Sequence, residues 1–265
     1  MSPFDLNEKN INILTDIAIE AGHKILAIYK KDFDVYKKDD SSPLTEADLA
    51  AHHYIVEQLQ NISNLPILSE EASDIDWETR KAWTTYWLLD PLDGTKEFIK
   101  KNGEFTVNIA LVQNGEPIFG VVHAPALATT YFGGNGIGAF ELKNGHTNSI
   151  AVVSHQPNEI WRVVGSRSHQ SSEIEKILTA LPGETELVAM GSSLKLCCVA
   201  SGKAHLYPRV GPTSEWDTAA AHAVVLGAGG TVKVLDPDKP FDAKASTLRY
   251  NQKESLLNPF FMVSN

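Results

Sequence analysis

The stretch that most restricts how this chain can fold is a pair of apolar runs joined by two turn residues. Phe105-Thr-Val-Asn-Ile-Ala-Leu-Val112 alternates, Asn114-Gly115 suits the positive φ of a tight hairpin, and Pro117 to His123 forms the return strand. Strand-like stretches follow at 129–132 and 138–142, with a second Asn-Gly at 144–145. Antiparallel pairing of this kind needs cover for its apolar face, and the chain supplies it upstream. Ile13/Leu14, Ile17/Ala18, Ala21, Ile25 and Ile28/Tyr29 recur at helical spacing. After the basic Tyr36-Lys37-Lys38 and a loop at Ser41-Ser42-Pro43-Leu44, a second helix is expected from near Thr45 to about Asn61. Residues 1–150 therefore read as two helices packed on an antiparallel sheet.

Beyond about 149–158 the pattern changes to alternating strands and helices. Strands are expected at 161–164, 186–190, 204–207 and 231–235, and helices at 174–181, 193–200 and 218–226, so residues 151–265 read as a layered α/β half. The 265 residues are 43% hydrophobic and 21% charged, enough for a substantial core and incompatible with disorder or a coiled coil. No apolar run is long enough to span a bilayer, and the first ten residues show no hydrophobic leader. Cys197 and Cys198 are adjacent, lack metal-ligand spacing, and read as small buried thiols of a reducing compartment. A net charge of −10 argues against a nucleic-acid surface, which needs clustered Lys and Arg. An anionic small ligand would require a local reversal of sign.

Acids stand where such a reversal can occur. Asp90-Pro-Leu-Asp93-Gly-Thr95 directly follows the apolar run Tyr86–Leu89; Glu70-Glu71 follows Ile67-Leu68-Ser69; Asp217 follows Trp216 at an expected helix start. Each has a plain structural reading: a turn at Asp93-Gly94, solvated loop acids at 70–71, an N-cap at Asp217, a capping box at Thr45-Glu-Ala-Asp48. Three apolar elements that all end in acid also fit an active site at strand carboxyl ends. Two carboxylates 4 Å apart repel by roughly 4 kcal/mol at an effective dielectric of 20. A hard divalent cation removes that penalty, and oxygen ligands without His or Cys favour Mg²⁺ or Mn²⁺ over zinc.

Asp90-Pro-Leu-Asp93-Gly-Thr95 together with Trp216-Asp217-Thr-Ala-Ala resembles the paired signatures of the inositol monophosphatase superfamily, the Mg²⁺-dependent, lithium-sensitive phosphatases. The likeness runs from Leu44-Thr45-Glu46-Ala47-Asp48 to Leu257-Asn258-Pro259-Phe260. It implies a layered αβαβα sandwich of the inositol monophosphatase and fructose bisphosphatase type, with an α+β first half. It also implies two or more Mg²⁺ ions held by Glu70, Asp90, Asp93, Asp217 and the carbonyl of Leu92. The implied chemistry is in-line attack of a metal-activated water on phosphorus. Thr95 and Asp48 would orient and deprotonate that water with Glu70 among the catalytic acids, and the N–H groups of Gly94 and Thr95 would hold phosphate oxygens. Haloacid-dehalogenase phosphatases are excluded, because their Asp-x-Asp spacing lies near the chain start and here two residues separate Asp90 from Asp93.

The stretch Gly191-Ser192-Ser193-Leu194-Lys195, with Arg209 downstream, decides the substrate class. Cations there suit a substrate with a second phosphate. With Ser166-Arg167-Ser168-His169, the set resembles that of bacterial 3'(2'),5'-bisphosphate nucleotidases, which convert 3'-phosphoadenosine 5'-phosphate (PAP) to AMP. By that resemblance Ser192, Lys195 and Arg209 hold the 5'-phosphate, and His169 lies near the nucleoside. From the residues alone, Lys195 also suits a solvated helix face and Arg209 a structural pairing with Glu215. His52-His53, His123 and His222 read as packing or surface residues. An inositol or sugar monophosphatase of the same fold is the nearest alternative. A non-catalytic PAP- or Mg²⁺-binding sensor would have lost a ligand or the Asp48/Thr95 pair, and none is missing. The resemblance further implies a cytoplasmic enzyme, monomer or homodimer, with room for peripheral association with the bacterial inner membrane. The chain shows no lipid anchor or basic amphipathic helix in support of that association.

Overall fold

A computed structural model describes residues 4–30, 43–165 and 171–265. Helix α1 (Glu8–Tyr29) starts at Asn7, whose side chain accepts the Asn10 N–H at 3.0 Å. Its buried face carries Leu14, Ile17, Ala18, Ala21 and Ile25. Helix α2 (Pro43–Ile62) buries Ala47, Ala51, Ile55 and Leu59, one residue per turn. It begins at proline, a residue pre-set for the first helical position. Thr45 therefore lies inside the first turn, and the capping-box reading of Thr45 with Asp48 does not hold.

Seven strands follow in sheet order: β1 (Ile67–Ser69), β2 (Thr85–Asp93), β3 (Thr106–Gln113), β4 (Glu116–Ala124), β5 (Thr129–Gly134), β6 (Gly138–Lys143) and β7 (His146–Ser149). Asn114 and Gly115 both take positive φ between β3 and β4, as the hairpin requires. All pairs are antiparallel except β1 with β2, which run parallel. The reason is the long connection through α3 (Trp77–Arg80), a crossover no hairpin could replace. This departure from the expected all-antiparallel sheet matters, because it sends the ends of β1 and β2 to the same side.

Strand β3 shows how the sheet is buried on both faces. Val107, Ile109 and Leu111 join the core beneath α1 and α2, while Ala110 and Val112 join a second core on the other face. That second face receives α6 (Leu194–Ala200) and α7 (Ala219–Gly227). The backbone of α7 lies directly on β4: a Cβ added at Gly120 would sit 2.1 Å from the Ala220 carbonyl oxygen. Beyond these helices, β10 (Tyr207–Arg209), β12 (Phe261–Ser264) and β11 (Thr231–Val234) form an antiparallel sheet in that order. Strands β8 (Trp161–Gly165) and β9 (Thr185–Ala189) pair in parallel, and a bridge from Val163 to Leu206 ties them to the other three. Helix α5 (Ser172–Thr179) covers the outer face through Ile177. The layers are thus helix, sheet, helix, sheet, helix, an αβαβα sandwich. The expected strand at 204–207 lies further on at Tyr207–Arg209, and its central partner β12 is too short to show any period. One core joins Leu68, Tyr86 and Leu88 to Leu196, Val199 and Phe261 across residue 150.

Candidate active site

The parallel pair delivers the acids. Glu70 follows β1 and donates its N–H to the Leu89 carbonyl, while Asp90 and Asp93 stand at the end of β2. Between them the register against β3 shifts: Asp90 faces Asn108 and Asp93 faces Thr106, so β2 spends one residue more than its partner. A bulge of this type takes Pro91 and Leu92 out of the ladder and re-aims the side chains around it. Leu92 keeps its side chain in the core, and its N–H reaches Asp90 Oδ1 at 3.1 Å. Carboxylate oxygens of Asp90, Asp93 and Asp217 lie within 4.8 Å of one another, although 217 comes from the far half of the chain. Glu70 stands beside this cluster: burial raises its carboxyl, and Asp90 and Asp93 are among the groups that act on it.

Each outer acid is held differently. Asp93 Oδ2 accepts the Ser192 hydroxyl at 2.5 Å and the Ser193 N–H at 2.6 Å. Asp217 closes a 3-10 turn, Glu215–Asp217, by accepting the Ser214 N–H at 2.9 Å while Ser214 caps it in return. It thus caps its own short turn and not α7, which begins two residues later, after Thr218. The C-terminal loop braces that turn. Both oxygens of buried Glu215 accept the Asn251 N–H, at 3.0 and 2.8 Å, and Asn251 Oδ1 accepts from Arg80 at 2.8 Å. Asn258 Nδ2 donates to Ser214 O and Thr218 Oγ1. Glu215 is therefore engaged by Asn251, which Arg80 holds in turn, and among the described residues Arg209 forms no pair with Glu215.

Burial and neighbouring charge raise Asp48, Glu70, Asp90 and Asp217. Burial pushes Asp90 well above the carboxylate range, with Asp93, Glu70, Asp217 and Asp48 adding to it. Asp217 rises to about 7 through burial and Asp93. Asp48 rises to about 8 through burial and the charges of Glu71 and Glu70. Asp90 Oδ2 and Asp48 Oδ1 are buried with no hydrogen-bond partner. Converging carboxylates with orphaned buried oxygens fit a hard divalent cation, which supplies the missing partner and lowers the cost of ionisation. Among the described residues Asp48 makes no hydrogen bond to Thr95, and the charges that raise it further are those of Glu71 and Glu70. Thr95 opens helix α4 (Thr95–Ile99) with its side chain exposed, after Gly94 at φ 91°.

A cleft of about 870 Å³ runs from Asp93, Gly94 and Asp217 along Ser192 and Lys195 to Arg209. Lys195 follows Ser193 into α6, and burial lowers its pKa, against the opposing pull of Asp93. It is no solvated helix residue. The Arg209 guanidinium donates to the carbonyls of Gly211 and Pro212 and makes no ion pair among the described residues. His169, with Ser166, Arg167 and Ser168, lies outside the described residues. His52, His123 and His222 bond to Ser69, Thr130 and Tyr250, at 2.9, 2.8 and 2.9 Å, as packing residues do. Both cysteines are free and buried.

The sequence alone assigned no role to Glu71, Thr106, Asn108, Ser193 or the Arg80–Asn251–Glu215 brace. A signal existed for two of them. Thr106 and Asn108 are polar residues two apart in an otherwise apolar strand, so both face the side where Asp90 and Asp93 emerge. The brace had none, since its members are scattered from residue 80 to 251.

The chain matches the inositol monophosphatase family over residues 6–259. It is 47% identical over 251 residues to the 3'(2'),5'-bisphosphate nucleotidase CysQ of Salmonella typhimurium, covering 94% of this chain and 96% of that one. The protein of that name from Escherichia coli K12 is equally similar, with 47% identity over the same share. Among solved structures, CysQ from Bacteroides thetaiotaomicron, described as a bacterial member of the inositol monophosphatase family, superposes with a TM-score of 0.84 at 42% identity, covering 98% of both chains. An inositol monophosphatase from Zymomonas mobilis, at 22% identity and a TM-score of 0.75, shares the fold.

Proposed function

This chain belongs to the inositol monophosphatase family, and from that premise we propose that it is a Mg²⁺-dependent 3'(2'),5'-bisphosphate nucleotidase converting PAP to AMP and phosphate. The observation that carries the reading is a single cleft lined by Asp93 and Asp217 and also by Lys195 and Arg209. A substrate with two phosphates uses both the acidic and the basic groups.

Glu70, Asp90, Asp93, Asp217 and the Leu92 carbonyl would hold the divalent ions. Those ions, when bound, neutralise phosphoryl oxygens and acidify water. The rest falls to the chain itself. Asp48, with one oxygen unpartnered, takes the proton of the attacking water, and the Thr95 hydroxyl orients that water. Gly94 and Thr95 present N–H groups to the phosphate being cleaved. At the other end, the ammonium of Lys195 and the fork of Arg209 take the 5'-phosphate. Ser192, whose hydroxyl is engaged by Asp93, serves that end by shaping the turn into α6. His169 would lie beside the nucleoside. The two halves, 1–150 and 151–265, each supply part of one site. The reading includes a cytoplasmic enzyme, monomer or homodimer; no helix among the described residues is long and apolar enough to cross a membrane, and membrane association would be peripheral.

Phosphate release from PAP and from inositol 1-phosphate, with Mg²⁺ varied and lithium added, tests the proposal. Preference for PAP, dependence on Mg²⁺ and loss of activity in Asp93→Asn are expected. Preference for inositol 1-phosphate would make the protein a sugar-phosphate phosphatase instead.

A further inference from the structure

Thr106 does not itself line the cleft, yet it lies directly behind Ser192 and Ser193, which do. It is fully buried, faces Asp93 in register, and its hydroxyl lies 2.6 Å from Ser192 Oγ, 2.8 Å from Ser193 Oγ and 3.2 Å from Asn108 Oδ1. Ser192 gives its hydrogen to Asp93 Oδ2, and Ser193 gives its own to Asn108 Oδ1 at 2.9 Å. The single hydrogen of Thr106 has Asn108 Oδ1 and Ser192 Oγ as acceptors. Thr106, Ser192 and Asp93 are thus joined, hydroxyl to hydroxyl to carboxylate. Ser192 itself adopts φ 51°, a left-handed conformation that a non-glycine residue keeps only when its surroundings enforce it. Space around the turn is equally tight: a Cβ at Gly94 would lie 3.2 Å from that of Ser192. Two residues past this turn's Ser193 comes Lys195.

We propose that Thr106 is a positioning residue that locks Asp93 to the turn carrying Lys195, so that the divalent cation and the second phosphate bind with positive coupling. Resting on the nucleotidase reading, the inference adds that the two ends are one hydrogen-bonded unit. Holding Asp93 Oδ2 on the turn leaves its other oxygen for the cation and fixes where the turn, and hence Lys195, can stand. A ligand that immobilises either end lowers the ordering cost at the other, and linkage makes the effect reciprocal.

Titration calorimetry of Mg²⁺ into the full chain, with and without AMP, reads this coupling directly, since AMP carries the 5'-phosphate alone. The wild type is expected to bind Mg²⁺ more tightly when AMP is present. Thr106→Val keeps the shape and removes the hydroxyl. It should raise the Mg²⁺ dissociation constant about tenfold, as loss of a partner that orients a ligand does, and abolish the AMP effect. Thr106→Ser restores the hydroxyl and should recover both. Should Thr106→Val fail to fold, Ser193→Ala carries the test, with a weakened AMP effect expected. The proposal is overturned if Thr106→Val, or in its place Ser193→Ala, keeps wild-type affinity and coupling, or if Thr106→Ser is as impaired as the valine variant. A wild type that does not bind AMP or cleave PAP would instead refute the nucleotidase reading, so the two failures are distinct.

Discussion

The two ends of the cleft solve opposite electrostatic problems. At the acidic end Asp90 is fully buried, Asp48 and Asp217 rise to about 8 and 7, and two carboxylate oxygens lack partners. Left to itself this end opposes folding, because charge is brought together out of water. At the basic end Arg209 is half-buried, its guanidinium is shared with two carbonyls, and Lys195 is balanced by Asp93, Glu97 and Asp217. Nothing there awaits a cation. On the proposed reading the acids take a divalent ion, whereas the Lys and Arg take an anion that arrives and leaves. Sites strained in the absence of their ligand commonly trade stability for function.

The largest expected effect tests that trade. Asp217→Asn keeps an acceptor for the Ser214 N–H and removes the charge. PAP turnover should fall by at least about 100-fold, the upper end for losing a group that tunes a metal site. In metal-free protein the same variant should melt higher than wild type at pH 8, because a repelling charge is gone. A lower melting temperature would show that the acidic end is not strained. Next come Lys195→Ala and Arg209→Ala. Each should raise KM for PAP by about 10- to 100-fold, since hydrogen bonds to charged groups contribute about 1.5–3 kcal/mol. Turnover of inositol 1-phosphate should barely move. Equal loss on both substrates would assign the two residues to folding or to general phosphate binding.

The pH dependence separates the ends further. An Asp whose folded pKa is raised contributes stability below the unfolded value near 4. That contribution is lost as pH rises through the folded value, here about 7 for Asp217 and about 8 for Asp48. Metal-free protein should therefore lose stability from pH 4 to pH 8 on account of these groups. A bound divalent ion restores it by mass action. The rise in melting temperature on adding Mg²⁺ should accordingly be larger at pH 8 than at pH 5. An increment independent of pH would mean that the ions bind elsewhere. Buried His123, lowered to about 4 by desolvation, acts in the other direction between pH 4 and 6.5 and is unaffected by Mg²⁺, so the Mg²⁺-dependent increment isolates the acids.

Much of this was legible in one sequence because it is local. The Asn114-Gly115 hairpin, the helical spacing of α1, and the acids following Ser69 and Leu89 are written in consecutive residues. What the sequence concealed is long-range. The parallel pairing of β1 with β2 depends on a crossover whose direction no local pattern records. The rise of Asp48 to about 8 comes from burial and the charges of Glu71 and Glu70, neighbours that the sequence around 48 does not announce. Strand β12, four residues at the centre of its sheet, is too brief for periodicity. The brace of Arg80, Asn251 and Glu215 joins positions that only the fold brings together.

The smallest effect sharpens the comparison without any mutation. Charges open to solvent are screened by salt, with a Debye length of about 10 Å at 0.1 M, while buried charges are screened much less. Raising KCl should weaken the hold of half-exposed Arg209 on a phosphate, yet leave the buried acids and their cation nearly untouched. KM for PAP should then rise by about two- to threefold across a tenfold increase in salt, while kcat and the Mg²⁺ requirement stay level. Inositol 1-phosphate, which has no second phosphate for the basic end, should show less change in KM. If salt moved KM for both substrates together, the cations would act as a diffuse field over the cleft mouth, and a discrete second-phosphate site would have to be abandoned.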